Sequence, residues 1–204
     1  MPADFCMKLF KSREANTFHY VTTVCFKRTP IFHNEFACDL FIHALKQTRE
    51  HSKFKLTGYV IMPDHVHLIL NPVNRDISVI MRRLKSTSAR LILDWLRETG
   101  SATSLRMLEL NRPQRKSHTH ALWQKEFSSI DLFTPRFIQQ KLNYIHLNPV
   151  RAKLCTHPAA WKWSSFRSYL PHAPGIVPVE IDWRGYWKPE EFVEFEKSAG
   201  NARL

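Results

Sequence analysis

No stretch of this 204-residue chain approaches the ~20 consecutive apolar residues that a bilayer-spanning helix needs. Its opening Met1-Pro2-Ala3-Asp4 begins no charged-then-apolar secretory leader. These two absences predict a soluble, cytoplasmic protein. Cysteine is scarce: Cys6, Cys25, Cys38 and Cys155 form no CxxC pair and are too sparse for a disulfide scaffold, so reduced and mostly buried thiols are expected. Internal repeats and low-complexity tracts are missing too. The most telling shortage is of acid. Eighteen Asp and Glu face 30 Lys and Arg, a net charge of +12 with a pI near 9.8, and such an excess suits a polyanionic partner, nucleic acid first. The imbalance is local: Arg75 to Lys116 holds ten basic against four acidic residues, whereas Pro171 to Leu204 holds four against six.

What is present fits one domain of ordinary size, with 44% apolar residues to fill a core. Thr17 to Lys27 is rich in β-branched and aromatic residues and reads as a first strand, closed by Arg28-Thr29-Pro30. Asn34 is placed to cap a helix from Glu35 to Glu50, where Phe36, Leu40, Phe41, Ala44 and Leu45 recur at helical spacing. A second strand over Phe54 to Met62 and a third ending at Asn71-Pro72 are separated by Pro63-Asp64. Ile77 to Arg97 reads as a second amphipathic helix, and the stretch to about Thr119 as a loop. A fourth strand is expected in His120 to Ser128 and a third helix from Pro135 to about Leu147. This β-α-β-β-α-β order is that of an α+β, ferredoxin-like split βαβ sandwich, in which helices cover one sheet face and leave the other free for chemistry. Beyond Pro149 the chain becomes aromatic and basic, then proline-punctuated. It reads as a C-terminal extension over 153–204, wrapped on a domain of residues 1–152.

Two short motifs carry chemistry. In Tyr59-Val60-Ile61-Met62-Pro63-Asp64-His65-Val66-His67-Leu68, strand alternation sends His65 and His67 to one face. Such a pair must either find two polar partners or share a cation. In Tyr144-Ile145-His146-Leu147-Asn148-Pro149-Val150-Arg151-Ala152, Tyr144 and Asn148 stand four apart, on one helix face if the helix runs that far. Each has a plain alternative: a half-buried packing tyrosine, and a cap before Pro149. Asp64 is either a turn residue or a partner that orients an imidazole. His146, two residues from Tyr144, points elsewhere and is surface or structural.

These two segments, with Leu122-Trp123-Gln124 and Trp163-Ser164-Ser165, resemble the single-tyrosine HUH transposases, and among them the REP-associated branch. The resemblance runs from about Thr17 to Tyr169. It implies the HUH endonuclease fold, a divalent cation on His65 and His67, Tyr144 as the nucleophile, and Asn148 completing the metal site. Many relatives carry glutamine where Asn148 stands, and the shorter amide has less reach. A phenol with pKa near 10 is only about a thousandth ionised at neutral pH, so attack on a phosphodiester needs a cation to polarise phosphorus. Imidazole ligands suit zinc, but the resemblance implies Mg²⁺ or Mn²⁺. It also implies single-stranded DNA folded into imperfect palindromic hairpins, cleaved and rejoined through a 5′-phosphotyrosine. A monomer is favoured, with a homodimer that shares its site the other arrangement.

Arg82, Arg83, Lys85 and Arg90, with Arg112, Arg115 and Lys116, are the candidates for phosphate contact, against a plain solvated helix face. Trp161 and Trp163 either stack on unpaired bases or seal a core edge. Trp123 and Gln124 are expected to anchor the fourth strand. Two other functions compete. One is a domesticated module that binds hairpin DNA or RNA without cutting it. The other is a phosphoesterase using water on the histidine strand, disfavoured because Ile69 stands where a third alternating histidine would be.

Overall fold

The computed structural model describes residues 17–73, 76–111, 118–170, 179 and 181–182. Arg112, Arg115 and Lys116 lie outside them. Four strands, β1 (Phe18–Val24), β2 (Lys55–Met62), β3 (His65–Asn71) and β4 (Ser128–Leu132), form an antiparallel sheet in the order β2-β3-β1-β4. That order and the helices α1 (Glu35–Ser52) and α2 (Ile77–Glu98) make the expected ferredoxin-like sandwich. The side chains of Asn34 and Asp76 cap α1 and α2 as the sequence pattern requires. Both helices bury their apolar stripes on one sheet face, against Val21, Leu56, Ile61, Val66, Leu68 and Leu70.

Three sequence expectations are corrected. The fourth strand is Ser128–Leu132, not His120 to Ser128. Residues 120–127 make only isolated bridges, Glu109 with His120 and Cys25 with Trp123. The carbonyls of Gln124, Lys125 and Glu126 accept from Lys85 Nζ, which does the work a neighbouring strand would. The supposed loop before Thr119 contains a short helix, α3 (Ala102–Met107). The second sheet face is not free. Helix α4 (Pro135–Arg151) crosses it and builds a second core in which Ile138, Leu142 and Ile145 meet Phe18, Tyr20, Val60, Met62 and Ile69.

α4 also runs farther than its proline predicts. Pro149 lies in the last turn, where its missing N–H costs the helix a single bond, the one Ile145 O would accept, and the turn still closes. A left-handed Lys153 (φ 57°) then stops the helix. Leu154 N–H donates to Pro149 O and Lys153 N–H to Val150 O, the paired bonds of a Schellman motif. Gly58 lets α4 come close: a Cβ there would lie 2.5 Å from Leu142 Cδ2 and 3.1 Å from Ile145 Cδ1. The outer edge of β2 is covered by the extension. Ile61 N–H donates to Trp163 O, Tyr59 N–H to Ser165 Oγ, and Asp182 N–H to Leu56 O.

Candidate active site

Cross-strand register gathers the site. Thr22 and Val60 lie opposite His67, and Val24 and Met62 lie opposite His65, so all of these side chains share the α4 face of the sheet. The rings of His65 and His67 stand 4.8 Å apart between centroids, near perpendicular. Tyr20 stacks on His67 at 5.3 Å, and the Tyr144 ring meets His67 edge-on at 5.9 Å. A strand pair at one end of the sheet and a helix 77 residues later in the chain thus converge. Tyr144 keeps 39% of its surface exposed, so its phenol is within reach of a large substrate.

Each imidazole is held through Nδ1. His65 Nδ1 meets Asp64 Oδ1 at 2.5 Å, and the other carboxylate oxygen accepts from Arg28 at 2.9 Å. Burial works to raise the Asp64 pKa, but hydrogen bonds from His65 and Arg28 outweigh it and hold the carboxyl below its usual range. Arg28 reaches this position from a turn in which Lys27 and Arg28 both have positive φ, 53° and 52°. His67 Nδ1 lies 2.8 Å from Thr22 Oγ1 and 2.9 Å from Tyr20 Oη. Burial, then the charges of His65 and Lys141, push the His67 pKa down to about 3, so the ring is neutral at physiological pH. Burial raises that of Tyr20 to about 12, against a hydrogen bond from Thr22 that lowers it. Tyr20 therefore stays a phenol.

The Asp64 carboxylate accepts from His65 Nδ1–H, which leaves the lone pair of that ring on Nε2; His67 Nδ1 faces two hydroxyls, and its Nε2 is the nitrogen they do not engage. This fits a divalent cation: two imidazoles on one face, one of them backed by a carboxylate in the arrangement that orients metal-binding histidines. Asn148 lies one turn beyond Tyr144 on α4, and its amide nitrogen is buried with no hydrogen-bond partner among the described residues. An orphaned amide N–H calls for an acceptor such as a phosphate oxygen, and it is the carbonyl Oδ1 of the same group that would face a cation. Among the described residues no group of three or more His, Cys, Asp or Glu converges, so His65 and His67 have no carboxylate as a third ligand of that kind.

The other candidates are dispersed. Arg82, Arg83 and Arg90 are exposed on α2, across the sheet from Tyr144. Lys85 is turned toward the 124–126 carbonyls. Trp163 is 5% exposed and Trp161 donates Nε1–H to Ile61 O at 3.0 Å, so both seal the β2 edge. Trp123 is buried with its Nε1–H on Ser88 Oγ, and Gln124 N–H donates to Val24 O, anchoring the end of β1 instead of a fourth strand. His146 is structural, its Nε2 2.9 Å from Ser165 Oγ. Sequence reasoning missed Tyr20, Thr22, Arg28, Lys141 and Arg151. The first two alternate on β1, and the last two share a helical face with Tyr144. Those were the only signals.

A fold of this order, carrying paired histidines on the central strand and a tyrosine on a helix laid over them, defines a class. The model of the IS200-like transposases matches residues 13–147, and the chain belongs to that family. A Haemophilus influenzae protein assigned to the REP-associated tyrosine transposases is 27% identical over 172 residues, covering 82% of this chain and 87% of that one. The REP-associated tyrosine transposase of Escherichia coli is 24% identical over 148 residues, 70% of each. A solved structure of a REP-associated tyrosine transposase bound to a REP hairpin superposes with a TM-score of 0.57 at 16% identity, covering 89% of this chain and 93% of the other, which confirms the fold. Among the described residues no helix is long and apolar enough to cross a membrane.

Proposed function

We propose that this transposase cleaves and rejoins single-stranded DNA beside imperfect hairpins, with Tyr144 as nucleophile and residues 1–152 as the catalytic unit. The observation that carries the reading is the meeting of the half-exposed Tyr144 ring with the His65 and His67 pair. The hairpin partner is inferred from the relative whose structure holds a REP hairpin.

The phenolic oxygen of Tyr144 attacks phosphorus, the P–O3′ bond breaks, and the products are a 5′-phosphotyrosine and a free 3′-hydroxyl. The phenolic proton passes to solvent and the leaving 3′-oxygen takes one from solvent. Because the ester keeps the bond energy, a 3′-hydroxyl rejoins the strand by the reverse step without ATP. His65, His67 and Asn148 would hold Mg²⁺ or Mn²⁺, which when bound supplies a Lewis acid for a nonbridging phosphate oxygen. Asp64 and Arg28 fix the His65 ring, and Tyr20 and Thr22 fix that of His67. Arg82, Arg83 and Arg90 then contact the DNA backbone away from the reacting phosphate, where they give affinity and salt dependence.

Labelled stem-loop oligonucleotides with Mn²⁺ test this reading. An SDS-resistant protein–DNA adduct is expected from the wild type and none from Tyr144→Phe, which should bind the same DNA with unchanged affinity. An adduct that survives the substitution refutes the assignment. Binding by both proteins with no adduct from either favours a module that grips hairpins without cutting.

A further inference from the structure

Two cations flank the Tyr144 ring. Lys141 Nζ lies 5.7 Å and Arg151 Cζ 5.4 Å from its centroid. Offsets of −3 and +7 put the three residues within about 80° of arc on one face of α4. Lys141 also covers Tyr20 at 5.0 Å, the ring stacked on His67. The cleft of about 410 Å³ beside Tyr144 is lined by both of them, by Arg136 and by amide side chains, with no acidic residue. Among the described residues neither Lys141 nor Arg151 has a carboxylate partner, although Arg28, Arg49, Arg97 and Lys162 each have one. Positive charges clustered without neutralising acid repel one another, an arrangement that an anion relieves.

We propose that Lys141 and Arg151 form a two-sided cradle for the phosphate that Tyr144 attacks, and afterwards for the phosphate of the tyrosine ester. The assignment rests on the cleavage reading above. In the attack the Tyr144 O–P bond forms as the P–O3′ bond breaks, and negative charge builds on the nonbridging oxygens. Arg151 offers a planar fork to two such oxygens, and Lys141 a compact ammonium to the attacking side. Both remain cations throughout, so the proton balance of the step is unchanged. Arg82, Arg83 and Arg90 lie across the sheet and are excluded from this role.

The test begins with a pool of stem-loop oligonucleotides carrying a randomised 5′ flank. The sequence most enriched among wild-type adducts becomes the defined substrate. At saturating DNA and Mn²⁺, the single-turnover rate of adduct formation should fall about 100-fold in Lys141→Gln and in Arg151→Gln. Affinity for the same DNA, measured in a Tyr144→Phe background, should change less than about threefold. Lys141→Arg should regain part of the rate, which a merely structural role would not produce. Unchanged rates in both glutamine variants overturn the cradle while the cleavage reading stands. So does a lost rate that tracks a lowered Tm and is not rescued by arginine. If the wild type yields no adduct, the cleavage reading falls and takes the cradle with it.

Discussion

Gly58→Ala isolates the contact that sets where the nucleophile stands. The added methyl would lie 2.5 Å from Leu142 Cδ2 and 3.1 Å from Ile145 Cδ1, where carbon atoms normally rest at about 3.5–4.0 Å. About 1 Å must be found. Leu142 is 2% exposed and packed among Leu132, Ile138 and Ile145, so its side chain has little room to turn away and α4 must lift instead. Overpacking of this kind costs about 1–3 kcal/mol. A displacement of ~1 Å at a reacting group can cost about 100-fold in rate. Gly58→Ala should therefore lower the urea midpoint and slow adduct formation by one to two orders of magnitude, with DNA affinity nearly intact. Leu142→Ala alone removes buried methyls and should cost about 2–5 kcal/mol. Combined with Gly58→Ala it frees the space the new methyl needs, so the double variant should be faster than Gly58→Ala and more stable than the sum of the two losses by at least about 1 kcal/mol. Additive stabilities, or a Gly58→Ala protein with the wild-type rate, would show that α4 is not positioned through this contact.

Two further perturbations probe the groups around the site. Asp64→Ala leaves His65 Nδ1 without its carboxylate, and the affinity for Mn²⁺, read by calorimetry on the DNA-free protein, should drop about 10- to 100-fold; an unchanged affinity would make Asp64 a turn residue only. His146 is fully buried, and because Ser165 Oγ–H donates to Tyr59 O, the ring must donate its Nε2–H to that oxygen. Burial lowers its pKa from 6.5 to about 3, so the unfolded chain takes up a proton first as the pH falls. The stability from keeping it neutral is complete above about pH 6.5 and is lost toward pH 3, at up to about 1.4 kcal/mol per pH unit. Urea midpoints between pH 7 and 4.5 should thus fall more steeply for the wild type than for His146→Gln. Equal slopes would mean that the histidine takes up its proton as readily in the fold as in the unfolded chain.

The sequence determined the parts that depend on short-range pattern. Period-two alternation placed His65 and His67 on one face, helical spacing and the Asn34 and Asp76 caps gave α1 and α2, and the helix carrying Tyr144 began at its proline. The order of these elements was enough for the ferredoxin-like sandwich. Where backbone groups found unconventional partners, pattern failed: the apolar run through Leu122 and Trp123 looks like the start of a strand, but Lys85 takes the carbonyls of the three residues that follow it, and the pairing falls to Ser128–Leu132. Only the tertiary structure decided which sheet face α4 covers. That face is set by how closely two backbones can approach, which Gly58 permits, and by cross-strand register, which brings Tyr20 and Thr22 to His67. Neither is a local property of the chain, because each depends on residues that are distant in sequence and become neighbours only when the apolar surfaces of sheet and helix are buried together.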